Sequence, residues 1–384
     1  MAWTKFQIIL AVLMVVTGSI NTLATKWADK LSGKNSAGQD KPFNHPFLQA
    51  CSMFLGEFIC IIVFKIQVFC DKRNNRESET TRISNSRWNP VIFLAPAMCD
   101  MTATSIMYIG LNLTYASSFQ MLRGAVIVFT GLLSVAFLER KLKSYEWLGI
   151  FIVIVGLACV GISDIINPSK TVTFSRNSII TGDLLIIMAQ IIVATQMVVE
   201  EKFLTKYNVP ALQGVGWEGL FGFVILSLLL IPMYFIKVGN SVFDNPGGRM
   251  EDAYDGFVQM YNNPLIILAI TGTIVSIAFF NYAGLSVTKE MSATTRMVLD
   301  SVRTFTVWIF SLSIGWQEYH YLQLVGFLIL LCGMCLYNDV LIRPLYLKLR
   351  DKYGQKSEVE PLLRSSDEEF TSPSMKTKST SINE

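Results

Sequence analysis

Apolar residues in this chain gather into long unbroken runs, and short polar connections separate one run from the next. Runs of roughly 20 apolar residues are long enough to cross the hydrocarbon layer as α-helices. Ten can be marked: residues 6–24, 46–69, 91–111, 117–138 and 147–165, then 184–199, 212–236, 265–285, 293–315 and 321–341. The pattern predicts an all-α membrane protein with ten transmembrane helices.

The two sets of five read as variants of one another. Ser118 to Gly124 and Thr295 to Ser301 put Arg123 and Asp300, 177 residues apart, at matching positions, and Pro46 to Gln49 matches Pro210 to Gln213. Gly149 and Gly156 likewise match Gly326 and Gly333. An odd number of spans per half makes the second copy enter from the opposite face, so the expected architecture is two inverted five-helix repeats. The expected divisions are residues 1–165 for the first repeat, 166–181 for a luminal linker, 182–341 for the second repeat, and 342–384 for a polar, disordered cytosolic tail. A cleaved signal peptide is another reading of the first run, but cleavage would remove the partner of the sixth.

Composition agrees with this. Hydrophobic residues make up 52%, charged residues 16%, and mean hydropathy is +0.44, a chain suited to lipid rather than water. Lys and Arg crowd the connections that hold Arg73, Arg82, Arg140, Lys143, Lys202 and Lys289, whereas acids such as Asp29, Asp40, Asp244 and Asp252 dilute those on the other side. Both termini therefore read as cytosolic. The net charge of +3 is mostly this bias and gives no reason to expect nucleic acid.

Catalytic chemistry finds little support. The seven cysteines lie in or beside apolar runs, two histidines are too few for a metal cluster, and no phosphate-binding loop is present, so neither enzyme activity nor a cofactor is expected. A minor alternative role, luminal pH sensing, would use His45 and His320. Pro96 is expected to interrupt the third span and free carbonyls. Residues 250–261 put Tyr254, Phe257, Val258 and Tyr261 on one face, which suits a helix lying at the membrane interface.

Polar groups inside the spans carry the remaining chemistry. A charge left facing lipid at the bilayer centre costs about 2.5 to 3.5 kcal/mol on insertion scales, so such groups should face a cavity. Arg296, Asp300 and Arg303 form one stripe on the ninth span, and Gln120 and Arg123 share a face of the fourth. With Asp100, Glu57 and Asn281 they make up the expected binding set for a small solute; a structural salt-bridge network is the alternative for any one of them.

Gly182 to Gln190, and Ser286 to Arg303 with its Ala-Thr-Thr-Arg-Met-Val-Leu-Asp run, resemble the drug/metabolite transporter superfamily and, within it, the F subgroup of solute carrier family 35. The resemblance spans residue 1 to about residue 343. It implies ten helices, cytosolic termini and a central cavity, with nucleotide-sugar transport as the activity associated with the wider family. The expected function is thus secondary transport of a small polar organic solute by alternating access, the alternative being a membrane scaffold or regulatory protein that keeps the fold. Expected partners are the lipid bilayer, the solute and cytosolic sorting adaptors; a second copy of the chain is left open.

The adaptor expectation comes from Glu358, Leu362 and Leu363, an acidic residue four positions before paired leucines. It points to lysosomal or late endosomal membranes, with Golgi and mitochondrial membranes as alternatives. Replacing both Leu362 and Leu363 by alanine should move a fluorescently tagged chain from lysosomes to the cell surface, as read by microscopy.

Overall fold

The computed structural model describes residues 4–73, 88–111, 113, 114, 116–139, 141–166, 176–237, 248–315 and 321–337. All of them belong to one compact unit, Met1–Asn338; the tail with Glu358, Leu362 and Leu363 lies outside the described residues, as does His320.

The first helix, α1 (Lys5–Lys30), starts at a reciprocal cap in which the Gln7 N–H donates to Thr4 Oγ1 at 3.2 Å and the Thr4 N–H to Gln7 Oε1 at 3.0 Å. Its exposed face carries Phe6, Ile9, Val12, Val16 and Ile20, while Met14, Gly18, Ser19 and Asn21 turn inward. Apolar side chains outside and polar ones inside reverse the arrangement of a water-soluble protein. Hydroxyls on the helices settle on their own backbone, as where Thr17 donates to the Leu13 carbonyl at 2.7 Å.

A two-stranded hairpin, β1 (Ser32–Lys34) and β2 (Asp40–Pro42), joins α1 to α2 (Pro46–Arg73). A 3₁₀ turn at Pro90–Phe93 leads into α3 (Leu94–Leu111), and the fourth span is α4 (Ala116–Leu122), a 3₁₀ turn at Arg123–Ala125 and α5 (Val126–Phe137). There follow α6 (Ser144–Ile166), α7 (Arg176–Tyr207), α8 (Ala211–Phe235), the short α9 (Ala253–Asn262), α10 (Pro264–Glu290), α11 (Ala293–Ser313) and α12 (Tyr321–Tyr337).

Among the described residues, eight helices are long and apolar enough to cross a membrane. The ninth and tenth expected spans fall short of that measure for different reasons: α11 carries Arg296, Asp300 and Arg303, and α12 is apolar but described over only 17 residues. Pro96 does not break its helix, contrary to expectation. It falls in the first turn of α3, where the N–H it lacks would have no acceptor within that helix.

Helices pack in long pairs: α1 with α10, α2 with α8, α3 with α7, and α6 with α12. Glycine makes the last pair close, since a Cβ at Gly149 would lie 2.9 Å from the Gly333 carbonyl oxygen and one at Gly156 would lie 2.9 Å from that of Gly326.

At the hairpin end, polar contacts replace helix packing. Asn262 and Asn263 donate to the Lys34 and Ser32 carbonyls at 2.8 Å each, and the Ser36 N–H donates to Asp255 Oδ1 at 2.7 Å. Helix α9 turns Asp255 and Gln259 inward and Tyr254, Phe257 and Tyr261 outward. His45, 2% exposed, lies with Nδ1 2.7 Å from Glu251 Oε1 and Nε2 3.7 Å from Asp255 Oδ2. Burial opposes its charge, but the hydrogen bonds and charges of Asp255 and Glu251 outweigh it and raise its pKa to about 9. Asp255 is itself held down at about 2: its hydrogen bonds from His45 and Ser36 overcome burial.

His45 is therefore already a cation at neutral pH, which removes it as a sensor of mild acid and makes it part of a fixed clamp. Its contribution to stability is complete below about pH 6.5 and is lost as pH rises through about 9; that of Asp255 is present above about pH 4 and is lost as pH falls through about 2. The thermal midpoint of the purified protein should accordingly fall between pH 6.5 and 9, and His45→Ala should lower it and flatten that slope.

Candidate functional site

A cavity of about 470 Å³ opens between α1, α2, α3, the α4–α5 segment, α7, α8, α10 and α11. It runs from Lys30 and Leu111, at the hairpin end, inward to Glu218 and Arg296. All eight residues of the expected binding set reach its wall: Glu57 from α2, Asp100 from α3, Gln120 and Arg123 from the fourth span, Asn281 from α10, and Arg296, Asp300 and Arg303 from α11. Acidic Asp29 and Glu218 and basic Lys26 and Lys30 join them.

The inner end is closed by a network of carboxylates and amides. Arg296 Nη1 donates to Glu200 Oε2 at 2.6 Å, with both residues buried. Gln196 Nε2 contacts Glu200 Oε1 at 2.9 Å and Glu218 Oε1 at 2.7 Å, tying α7 to α8. Asn281 donates to Glu57, tying α10 to α2. One turn away, the Ala293 N–H at the start of α11 donates to Glu201 Oε2 at 3.1 Å. An ion pair this deep is costly to form and costlier to break, because removing one partner strands the other.

Farther along α11, Arg303 pairs with Asp300 at 2.8 Å, donates to Thr22 at 3.3 Å, and lies 4.9 Å over the Phe280 ring. Asp300 thus takes Arg303, and Arg296 finds its acid on α7. Nearer the mouth, Gln49 donates to Asp29 at 2.6 Å and Lys26 to Ser311 at 3.2 Å.

Arg123 differs from these. It occupies the 3₁₀ turn that divides the fourth span, and its only marked contact among the described residues is the Phe119 ring, 6.0 Å away. Gln120 beside it is 4% exposed, and its amide bonds to no other described residue. A free guanidinium and a free amide therefore meet at one stretch of wall. Such groups can bind a carboxylate or phosphate, for which a guanidinium offers a planar fork of donors.

Glu200, Gln196, Lys26 and Asp29 escaped the sequence reading. The apolar runs end at Val199 and Ala24, which put Glu200 and Lys26 in connections, but α7 continues to Tyr207 and α1 to Lys30. A Glu-Glu-Lys group four residues after a buried Gln was the available signal that the helix ran on.

The family profile described as solute carrier family 35, F subgroup, matches residues 7–237. The chain is 56% identical over 370 residues to solute carrier family 35 member F6 from Homo sapiens, covering 96% of each protein.

The chain belongs to solute carrier family 35.

Similarity extends to the family 35 member F6 of Mus musculus, at 55% identity over 367 residues, covering 94% of this chain and 97% of that one. It reaches CMP-sialic acid transporter 1 from Arabidopsis thaliana at 24% identity over 312 residues, covering 81% and 84% of the two chains. Membership in family 35 makes this multi-pass chain a solute transporter at the family level and points away from an enzyme.

For this family 35 member, Glu200→Gln should destabilise the purified protein by about 3 to 5 kcal/mol, because it removes the buried ion-pair partner of Arg296. Pairing it with Arg296→Met should recover much of the loss. Thermal unfolding in detergent would read both.

Proposed function

We propose that the chain is a secondary transporter that carries a small polar organic solute by alternating access through this cavity, between two inverted five-helix halves. Packing supports the two-repeat reading. The repeat exchanges α1 with α7, α2 with α8, α3 with α10, the α4–α5 segment with α11, and α6 with α12. Under that exchange the α1–α10 pair becomes the α7–α3 pair, and the α2–α8 and α6–α12 pairs map onto themselves. The Gly149 to Gly333 approach becomes that of Gly326 to Gly156 in the same way. Two halves related like this can rock about a shared site.

The single observation that carries the reading is Arg123, a cation on the cavity wall with no ion-pair partner among the described residues. Arg123 is half-buried, and a charge kept unpaired within a span is expensive, which a transported anion would offset. Arg123, Gln120 and Asp100 would face the solute, while Arg296, Asp300 and Arg303, with Glu57 and Asn281, would hold or release the gates. The relative named for CMP-sialic acid favours an organic solute with an anionic group, nucleotide sugars among them. Cytosolic termini and the paired leucines of the tail favour a lysosomal or late endosomal membrane.

Liposomes holding the purified protein and an organelle extract should show saturable counterflow of a solute from that extract. Arg123→Ala and Asp300→Ala should each abolish it while the protein stays monodisperse on size exclusion. Unchanged flux in both variants would overturn the site, and folded wild-type protein without counterflow would favour the scaffold.

A further inference from the structure

The wall of the cavity sorts its charges in a way that bears on the solute itself. Five basic side chains line it, Lys26, Lys30, Arg123, Arg296 and Arg303, against five acidic ones, Asp29, Glu57, Asp100, Glu218 and Asp300, so their formal charges sum to zero. Most of these groups are also engaged with neighbours: Arg303 with Asp300, Arg296 with Glu200, Glu57 with Asn281, Glu218 with Gln196, and Asp29 with Gln49.

Two groups of opposite sign stand apart. Arg123 has no ion pair or hydrogen bond among the described residues, and Asp100 accepts only a long 3.4 Å bond from Thr104 on its own helix. Both line the cavity, and among the described residues no ion pair joins them. Beside Arg123 stands Gln120, 4% exposed, whose amide bonds to no other described residue.

The same wall also carries pliable apolar side chains. Met14, Met53, Met107, Met197 and Met297 line it together with three phenylalanines. Thioether side chains repack around varied apolar bodies and make favourable contacts with aromatic rings.

We infer that the cavity takes a zwitterionic solute with a bulky apolar or aromatic body, its anionic group on Arg123 and Gln120 and its ammonium on Asp100. This deepens the carrier reading, rests on its choice of cavity, and narrows the solute to the class of large apolar amino acids and short apolar peptides. The two poles would each be satisfied by the solute rather than by each other.

The probes are L-phenylalanine, L-tryptophan and the dipeptide phenylalanyl-leucine, each beside its N-acetyl form, which lacks the cation, and its amide, which lacks the anion; a UDP-sugar serves as the polyanion. Binding to the full chain in detergent is read by thermal shift and by equilibrium titration. At least one zwitterion should stabilise the protein, with its N-acetyl and amide forms about tenfold weaker or more. Asp100→Asn should narrow the gap between zwitterion and N-acetyl form, and Arg123→Gln the gap between zwitterion and amide; Asp100→Glu, which keeps the charge, should restore discrimination. Equal binding of the blocked forms, binding of the UDP-sugar alone, or no binding of any zwitterion would overturn the inference, on wild-type protein and so independently of how the variants fold. Discriminating zwitterion binding without counterflow would sink the carrier reading and leave this one standing. Counterflow of an extract solute that no zwitterion competes with would do the reverse.

Discussion

Everything in this fold answers to the cost of holding a charge away from water. Arg296 and Glu200 meet at 2.6 Å in a buried position, and their contact decides where α7 and α11 must sit. From that contact the polar groups extend as a chain of partners: Gln196 satisfies Glu200 and passes on to Glu218, while Glu57 turns to Asn281. The apolar surfaces of α1, α2, α6 and α10 can face outward because the charges have been gathered inward.

The two ends of the cavity are held by different means. At the hairpin end side chains tie down short loops: Asn262 and Asn263 hold the carbonyls of Lys34 and Ser32, Asp255 holds the Ser36 amide, and His45 lies between Glu251 and Asp255. At the inner end the ties are mainly long side chains reaching between helices. Ties at both ends run through side chains, so either set can part while the helices stay whole.

Much of this was legible in the chain. Runs of apolar residues marked the spans, because lipid tolerates little else, and the charges inside those runs marked the wall, because lipid tolerates those least. Gln120, Arg123, Asp300 and Arg303 could be found that way. Glu200 and Lys26 could not, since each lies just past an apolar run, and only a partner on another helix, Arg296 for one and Ser311 for the other, reveals that it is inside. The short helix with Tyr254, Phe257 and Tyr261 outward was readable from its 3.6-residue period, but the clamp beneath it was not, because His45 and Glu251 are 206 residues apart. Pro96 misled for a local reason: its effect depends on where the helix begins, which hydropathy does not resolve.

The 3₁₀ turn at Arg123–Ala125 also has a mechanical meaning. Each residue of a 3₁₀ helix advances about 0.5 Å farther and winds about 20° farther than one in an α-helix. Over these three residues the difference comes to about 1.5 Å and about 60°. The turn is therefore a short screw set in the middle of a span: wound into α geometry, it would rotate α5 against α4 and draw them together, and Arg123 is the residue mounted on its thread.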